Sequence, residues 1–394
     1  ITGMGIISAI GNNVEENYES LLEGKTGISR VSKIKTIHRD DIMVGEISFT
    51  NQELEHQLGL SSDNNYSRAA LLGSIAAKQA IVNAGISNIN KYKTGLISSN
   101  SVGGMDMTEA HFYDYFKNEA IQKYINGHHS GDSSQKIAEQ LGLEKSFVTT
   151  ISTACSSSAN AIMLGARLIK SGQLDRVIVG GVDCLTKFTI NGFKSLMILS
   201  DTFNSPFDED RKGLNLGEAA AFLVLESDKV LQAKNKPVLG YVKGYANTND
   251  AYHQTASSDN GDGATLAMEK ALKVAQLSSK DITYINAHGT ATINNDLSEG
   301  RAILRVFGND VPLFSSTKTY TGHTLAAAGA IEAVYSILAL QNNIVFPNLN
   351  FKTQMKEFNI TPQLELKEKE LQTVMSNSFG FGGNCSTVIF SKKQ

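Results

Sequence analysis

The sequence predicts an α/β fold with buried sheets, because short strand-like segments alternate with longer helical ones along its 394 residues. Residues 177–182 (VIVGGV) and 221–225 (AFLVL) are apolar runs of strand length, and residues 281–286 (DITYIN) resemble them. Residues 69–84 and 264–275 are alanine-rich with apolar side chains three and four positions apart, which is typical of helices.

The two halves of the chain repeat the same order of predicted elements. In the first half a strand leads through a sharp turn at Cys155 into a helix of small residues. The second half has the same order, with His323 on the turn. This pattern predicts two related halves, residues 1–235 and 236–394, whose two turns lie near a shared pseudo-dyad axis.

Composition narrows the class of protein. With 41% hydrophobic and 19% charged residues the chain is typical of soluble globular proteins, and a net charge of −3 argues against a nucleic-acid or membrane-surface partner. Its three cysteines have no metal-ligand spacing and fit a reducing cytosol without disulfides. We find no apolar run of about 18 residues, so we expect a cytoplasmic protein without a membrane span.

Residues 152–160 (STACSSSAN) place Cys155 between a predicted strand and a helix start. Backbone N–H groups and the positive end of the helix dipole converge there, which predicts a lowered thiol pKa and a nucleophilic thiolate. The same N–H groups could stabilise the oxyanion of an attacked thioester. The alternative is a buried structural cysteine.

Two histidines also follow strand-like segments. His288 follows the strand-like residues 281–286, at the kind of strand end where catalytic side chains of α/β sheets gather, although a capping or packing role is the alternative. His323 ends residues 315–323 (SSTKTYTGH), a turn of small residues that also holds Lys318. A lysine buried in such a turn needs a partner, and Glu332 on the next helix is a candidate.

Residues 377–384 (NSFGFGGN) form a glycine-rich segment near the end of the chain. Glycines allow close approach of the backbone to a ligand, and Phe379 and Phe381 can supply apolar walls. The segment lacks the pattern of a phosphate-binding loop.

Together these four segments resemble the β-ketoacyl-[acyl carrier protein] synthases of the thiolase superfamily, in particular the elongating, type II fatty-acid synthase branch. The similarity spans nearly the whole chain and includes several shorter motifs, namely residues 2–5 (TGMG), 103–104 (GG), 206–211 (PFDEDR), 217–218 (GE), 250–253 (DAYH) and 286–290 (NAHGT). The resemblance implies an acyltransferase with a five-layered αβαβα fold.

The resemblance also implies partners. Such enzymes work as homodimers. For this chain the alternative is a heterodimer with a related synthase subunit. They receive substrates from an acyl carrier protein, whose phosphopantetheine arm replaces any diffusible cofactor, and no metal is implied.

In that family the cysteine that matches Cys155 accepts the acyl chain. The histidines that match His288 and His323 stabilise the enolate left when a malonyl donor loses CO₂. Lys318 and Glu332 match a supporting ion pair. The expected reaction is a decarboxylative Claisen condensation that lengthens a fatty-acid, polyene or polyketide chain by two carbons.

Further positions match residues that bind the substrates. Phe381 matches the family's gating phenylalanine, whose backbone N–H joins that of the cysteine in the oxyanion hole. The other matching positions contact the pantetheine arm (Thr290, Thr292) or line the acyl pocket (Val102, Phe193), and Phe379 supplies an apolar wall.

The chain departs from the family pattern in three ways. Asn384-Cys385 replaces the usual Thr-Asn, which concerns contacts to the donor, and Ile293 replaces a proline, which indicates a local loop change. Third, cations are scarce at the expected carrier-docking surface, where Met197 replaces an arginine. Residues 61–68, where docking cations are expected, keep only Arg68. Since carrier proteins are acidic, this scarcity of cations suggests a dedicated carrier and a secondary polyene or polyketide pathway.

Two other functions compete with this interpretation. A thiolase would carry a second catalytic cysteine after the glycine loop, where Cys385 lies. A non-elongating partner subunit of the chain-length-factor type would typically lack the nucleophile that Cys155 provides.

Overall fold

The computed structural model of the chain describes residues 1–144, 146–234 and 237–393. The strands within these ranges are β1 (Gly3–Ile7), β2 (Ile28–Arg30), β3 (Met43–Gly45), β4 (Thr94–Ser99), β5 (Phe147–Ile151), β6 (Arg176–Asp183), β7 (Leu216–Gly217), β8 (Ala219–Glu226), β9 (Tyr241–Asn249), β10 (Tyr284–Asn286), β11 (Leu313–Ser315), β12 (Ile344–Val345), β13 (Lys367–Glu368), β14 (Thr373–Gly380) and β15 (Asn384–Ser391).

The α-helices in the same ranges are α1 (Val14–Leu22), α2 (Asn51–Leu58), α3 (Arg68–Asn83), α4 (Met105–His111), α5 (Glu119–Ile125), α6 (Ser130–Gln140), α7 (Ser157–Lys170), α8 (Lys187–Ser195), α9 (Asp228–Lys234), α10 (Asp262–Ala275), α11 (Ile293–Phe307), α12 (Lys318–Thr321) and α13 (Ala328–Asn342). Short 3-10 helices cover Ile89–Lys91, Phe112–Asp114, Asn126–His128, Ser279–Asp281, Leu325–Ala327 and Phe381–Gly383.

Two five-stranded sheets share one topology. The first has the order β1-β8-β6-β4-β5 and the second β9-β15-β14-β10-β11. In both sheets the first two neighbouring pairs are antiparallel and the last two are parallel. The repeated order bears out two related halves, but the predicted division between residues 235 and 236 falls outside the described residues and stays a prediction.

The sheets and helices form five layers. α7 and α13 lie between the two sheets, within an apolar core that includes Ile162, Leu223 and Val334. α3 and α6 cover the outer face of the first sheet, and α10 and α11 cover that of the second. The predicted αβαβα architecture is confirmed.

α13 is apolar on every side because both sheets pack against it. The segment Leu325–Asn342 is long and apolar enough to cross a membrane by length and composition, and 89% of it is buried inside the protein. The expectation that the chain contains no such run is therefore wrong. Glu332 interrupts the segment, but this one charged residue does not lower the mean hydropathy below that of a possible membrane span. Its burial marks it as the central core helix.

Predicted and observed elements otherwise differ mainly at their ends. Residues 177–182 lie in β6 and residues 221–225 in β8. Within residues 281–286 only Tyr284–Asn286 is a strand. Asp281 instead ends a 3-10 turn, where its carboxylate accepts hydrogen bonds from the Ser278 N–H and hydroxyl, both at 2.7 Å.

Candidate active site

Cys155 lies on the turn between β5 and α7, and its side chain is buried at the junction of the two halves. The turn is sharp because Ala154 adopts the left-handed backbone conformation, with φ of 51°. Ser157 holds the turn closed, since its hydroxyl donates to the Ala154 carbonyl at 2.6 Å and accepts from the Thr153 N–H at 2.8 Å.

His288 follows β10 and is fixed by a residue that the sequence reasoning missed. The backbone N–H groups of His288 and Gly289 each donate to the Glu299 carboxylate at 2.8 Å. Burial raises the pKa of Glu299 to about 7, although these hydrogen bonds lower it. An acidic residue on the buried face of α11 is the signal that could have identified it.

His323 follows α12 and occupies the position in the second half that corresponds to Cys155 in the first. Its backbone N–H donates to the Asn215 carbonyl at 2.7 Å. Its Nδ1 accepts a hydrogen bond from the Leu325 N–H at 3.2 Å, so the ring proton resides on Nε2.

Lys318 and Glu332 form a buried ion pair beside His288, as the sequence predicts. The Lys318 ammonium also lies 3.3 Å from His288 Nδ1, which therefore acts as acceptor and leaves the ring proton on Nε2. Burial raises the pKa of Glu332 to about 6, against the opposing charge of Lys318.

The two halves bring Cys155, His288 and His323 together. The sulfur and one ring nitrogen of each histidine lie within 4.8 Å of one another, and the imidazole centroids are 5.4 Å apart. Burial, followed by the nearby Lys318 charge, lowers the pKa of both histidines well below the usual 6.5. At neutral pH the site therefore holds two neutral imidazoles that each carry a proton on Nε2.

The predicted lowering of the Cys155 pKa is wrong. Burial raises the pKa of this thiol to about 11. Loss of hydration destabilises the thiolate more than the nearby charge and hydrogen bonds stabilise it. The Lys318 charge and backbone N–H groups of Phe381 and of Cys155 itself lower the pKa in part. Both N–H groups therefore interact with the Cys155 sulfur, and their role as an oxyanion hole stays a prediction.

A cavity of about 310 Å³ leads to the three side chains from the surface. Thr290, Thr292 and Phe379 line it, and the two threonine hydroxyls hydrogen-bond each other at 2.8 Å. The sequence reasoning did not assign to this cavity several other lining residues: Lys212, Thr255, Ala256, Ser257, Asn294 and Asn295. They come from three separate segments, which the sequence alone does not bring together.

A second, largely apolar cavity of about 350 Å³ meets Cys155 from another side. Val102 and Phe193 line it, as predicted for an acyl pocket, together with Phe188 and Leu196 of the same region. Phe381 separates the two cavities, since it lines both of them and stacks on Phe193 with ring centroids 5.8 Å apart.

Asn384, which stands where the family pattern has a threonine, lies in a hydrogen-bond network that connects the two halves. Asn384 Oδ1 accepts from the Ser156 hydroxyl at 2.7 Å, from Asn160 at 3.1 Å and from Asn247 at 2.6 Å. Asn384 thus anchors the residue that follows the cysteine.

Cys385 does not supply a second nucleophile. It is buried in the core of the second half and lines neither cavity. Burial raises the pKa of its thiol to about 12. Among the residues that the structure describes, the site therefore lacks the second reactive cysteine that the thiolase alternative requires.

The sulfur and two imidazoles of the site are also donors that a soft metal ion could use. The Lys318 ammonium beside His288 opposes such a cation electrostatically. The prediction that no metal takes part stays a prediction.

Comparison with known proteins identifies the family. Residues 1–230 match the model of the β-ketoacyl synthase N-terminal domain, and residues 239–352 match that of the C-terminal domain. The chain belongs to the β-ketoacyl synthase family.

The chain is similar to proteins named as 3-oxoacyl-[acyl-carrier-protein] synthases and to solved ketosynthases. The chain is 33% identical to the 3-oxoacyl-[acyl-carrier-protein] synthase 2 of Staphylococcus aureus strain COL, over all of the chain and 97% of the relative. Among solved structures it resembles the ishigamide ketosynthase/chain length factor, with a TM-score of 0.92, 27% identity and coverage of 100% and 98%. It also resembles the ketosynthase ApeO in complex with its chain length factor ApeC from Xenorhabdus doucetiae, with a TM-score of 0.86, 32% identity and coverage of 99% and 97%.

Proposed function

We propose that the chain is an elongating β-ketoacyl-[acyl carrier protein] synthase, an acyltransferase that condenses malonyl-carrier protein with an acyl group held on Cys155. The observation that carries the proposal is the meeting of one buried thiol with two neutral imidazoles at the end of a cavity. A chain-length-factor role is disfavoured because the nucleophile is present.

In the first half-reaction the Cys155 sulfur attacks the thioester carbonyl of an acyl-carrier protein. The new S–C bond forms as the bond to the pantetheine sulfur breaks, and that sulfur leaves with the cysteine proton. Backbone N–H groups of Cys155 and Phe381 stabilise the oxyanion. The acyl chain then occupies the apolar cavity beside Val102 and Phe193.

In the second half-reaction a malonyl thioester enters the first cavity, where Thr290 and Thr292 contact its pantetheine arm. Its carboxylate departs as CO₂, and the electron pair moves onto the thioester oxygen, where the Nε2–H groups of His288 and His323 stabilise the enolate. The enolate carbon attacks the acyl-cysteine carbonyl, the bond from that carbonyl to the Cys155 sulfur breaks, and the released thiolate takes up a proton from water. Lys318 and Glu332 act by keeping His288 in the required tautomer.

The assembly that we propose is a dimer, with an identical chain or with a related subunit. β5 is an edge strand, and Phe112, Tyr113 and Phe116 form an exposed aromatic segment. A free edge and exposed aromatic side chains are usually covered by a partner. Both solved relatives described above are named with a chain length factor, which makes a heterodimer the alternative. Native mass spectrometry of the chain alone distinguishes the two.

We also propose a cytoplasmic location and no diffusible cofactor or metal. All three cysteines are free, which fits a reducing compartment. Cell fractionation and metal analysis of the purified protein test these points.

The function is tested by incubating the protein with malonyl-carrier protein and a series of acyl-carrier proteins, followed by intact-protein mass spectrometry. A β-ketoacyl product two carbons longer than the primer, absent with Cys155→Ala, is the expected result. Acylation without elongation in the presence of malonyl-carrier protein would overturn the proposal.

A further inference from the structure

The entrance of the first cavity combines exposed apolar side chains with a single cation. Met197 is 89% exposed and Ile293 is 70% exposed, and both line the cavity. Lys212, also exposed, lines the same cavity. We call these three residues and Asn294 the entrance collar.

Hydrogen bonds fix the backbone of the entrance collar on both sides of Lys212. The preceding residue, Arg211, is buried and donates to the Ile293 carbonyl at 2.8 Å. On the other side the Leu214 N–H donates to the Ile198 carbonyl at 2.9 Å, which fixes the turn at Met197. The backbone on both sides of Lys212 is therefore fixed, and little backbone ordering is needed when a ligand binds.

Met197 adopts the left-handed conformation, with φ of 58°, although its side chain is long and almost fully exposed. That conformation disfavours residues other than glycine and asparagine, and it persists only where the surroundings impose it. The fold thus holds a large apolar side chain out at the rim of the cavity.

Two arginines that could otherwise serve docking are engaged elsewhere. The Arg68 side chain is largely buried and pairs with Glu218 through contacts of 2.6 and 2.8 Å, so the one arginine of residues 61–68 does not serve docking. Arg211 is bound to backbone carbonyls. Lys212 has no ion-pair partner among the described residues, and the residues that line the cavity include no carboxylate.

We propose that the entrance collar recognises its carrier protein by apolar contact, and that Lys212 pairs with the phosphodiester of the phosphopantetheine arm. The inference rests on the proposed function, because a thioester that reaches Cys155 through this cavity leaves its carrier at the entrance. The phosphate lies at the far end of the arm from the thioester, so it arrives at the exposed end of the cavity, where Lys212 stands. The fitting carrier has neutral or apolar side chains around its arm.

Small thioesters test the role of Lys212. Acylation of Cys155 is measured with octanoyl-phosphopantetheine and with octanoyl-pantetheine, which lacks the phosphate. In Lys212→Ala we expect KM to rise about fivefold for the first compound and to stay unchanged for the second. Lys280→Ala, an exposed lysine outside the cavity, is the matched control. Equal effects of Lys212→Ala on both compounds would refute the phosphate contact.

Carrier proteins test the apolar collar. The probes are a fatty-acid-type octanoyl-carrier protein and the same carrier with the acidic side chains of its docking helix replaced by neutral ones. We expect the neutralised carrier to be preferred, and its KM to change less than about twofold between 50 and 500 mM NaCl. Met197→Gln and Ile293→Asn should raise that KM, whereas Ile37→Asn, at an exposed site outside the cavity, should not.

The two proposals fail in different ways. If octanoyl-pantetheine and shorter or longer acyl homologues leave Cys155 unmodified, the proposed function fails. If Cys155 is acylated but the acidic carrier is preferred and loses its advantage in high salt, only the apolar collar is wrong.

Discussion

The Lys318 ammonium lies 3.3 Å from His288 Nδ1 while it is paired with Glu332. Because an ammonium can only donate, the contact fixes the proton of His288 on the other ring nitrogen. A lysine that lines neither of the two cavities thus determines what His288 presents to substrate.

Replacement of Lys318 by methionine should lower malonyl decarboxylation about 100-fold, because His288 loses its fixed tautomer. Acylation of Cys155 should persist. Glu332 is left buried and unpaired, so we also expect a loss of about 3–5 kcal/mol in the free energy of unfolding, measured in urea. The double variant Lys318→Met/Glu332→Gln is the control, since it should regain stability without regaining decarboxylation. Recovery of both would assign the pair a purely structural role.

Alkylation of Cys155 by iodoacetamide should become about tenfold faster with each pH unit from 7 to 9, since only the thiolate reacts. This follows from a thiol pKa that burial raises to about 11. The rate is followed by mass spectrometry of the peptide that contains Cys155, with glutathione as the free-thiol reference. A plateau below pH 8 would show that the helix start outweighs burial.

Decarboxylation should fall as the pH drops from 8, first through about 7, where protonation of Glu299 weakens the hydrogen bonds it accepts from the His288 and Gly289 N–H groups, and then through about 6, the pKa of Glu332. The sign follows because protonation neutralises Glu332 and breaks its pairing with Lys318. The histidines do not produce this fall, since their pKa values lie well below 6.5 and they stay neutral. Nitrogen-15 NMR of His288 and His323 checks the second point. Protonation of either ring between pH 6 and 7 would contradict it.

Gly192→Leu should shorten the acyl chains that the protein accepts. Gly192 lines the apolar cavity, and a Cβ built there meets no atom within 4 Å. The new side chain narrows the cavity, and the loss of a glycine from α8 should stabilise the helix by about 0.5–1 kcal/mol. Asn191→Leu, an exposed neighbour outside the cavity, is the control. Competition between primers of different length provides the measurement, and an unchanged preference would argue against acyl binding in this cavity.

The sequence predicts the fold well where local signals are strong. Periodicity identifies α3 and α10, and apolar runs identify β6 and β8. The similar order of elements around Cys155 and His323 anticipates the repeated sheet topology, which places these two side chains on corresponding turns.

Properties that depend on burial could not be predicted in the same way. The dipole argument gave the wrong sign for the Cys155 pKa because the local sequence does not show how completely the two halves exclude water. The support of His288 by Glu299 and the position of Lys212 at the entrance both require contacts between distant segments. Arg68 appeared available for docking until the structure showed its pairing with Glu218.

The repeated topology divides the proposed reaction between two copies of one structural unit. The turn of the first copy holds the growing chain, and the corresponding turn of the second helps to activate the incoming two-carbon unit. Carbon–carbon bond formation then takes place on the boundary between the copies. Neither copy alone could lengthen a chain, so any change that shifts one copy against the other should impair condensation before it impairs acyl transfer.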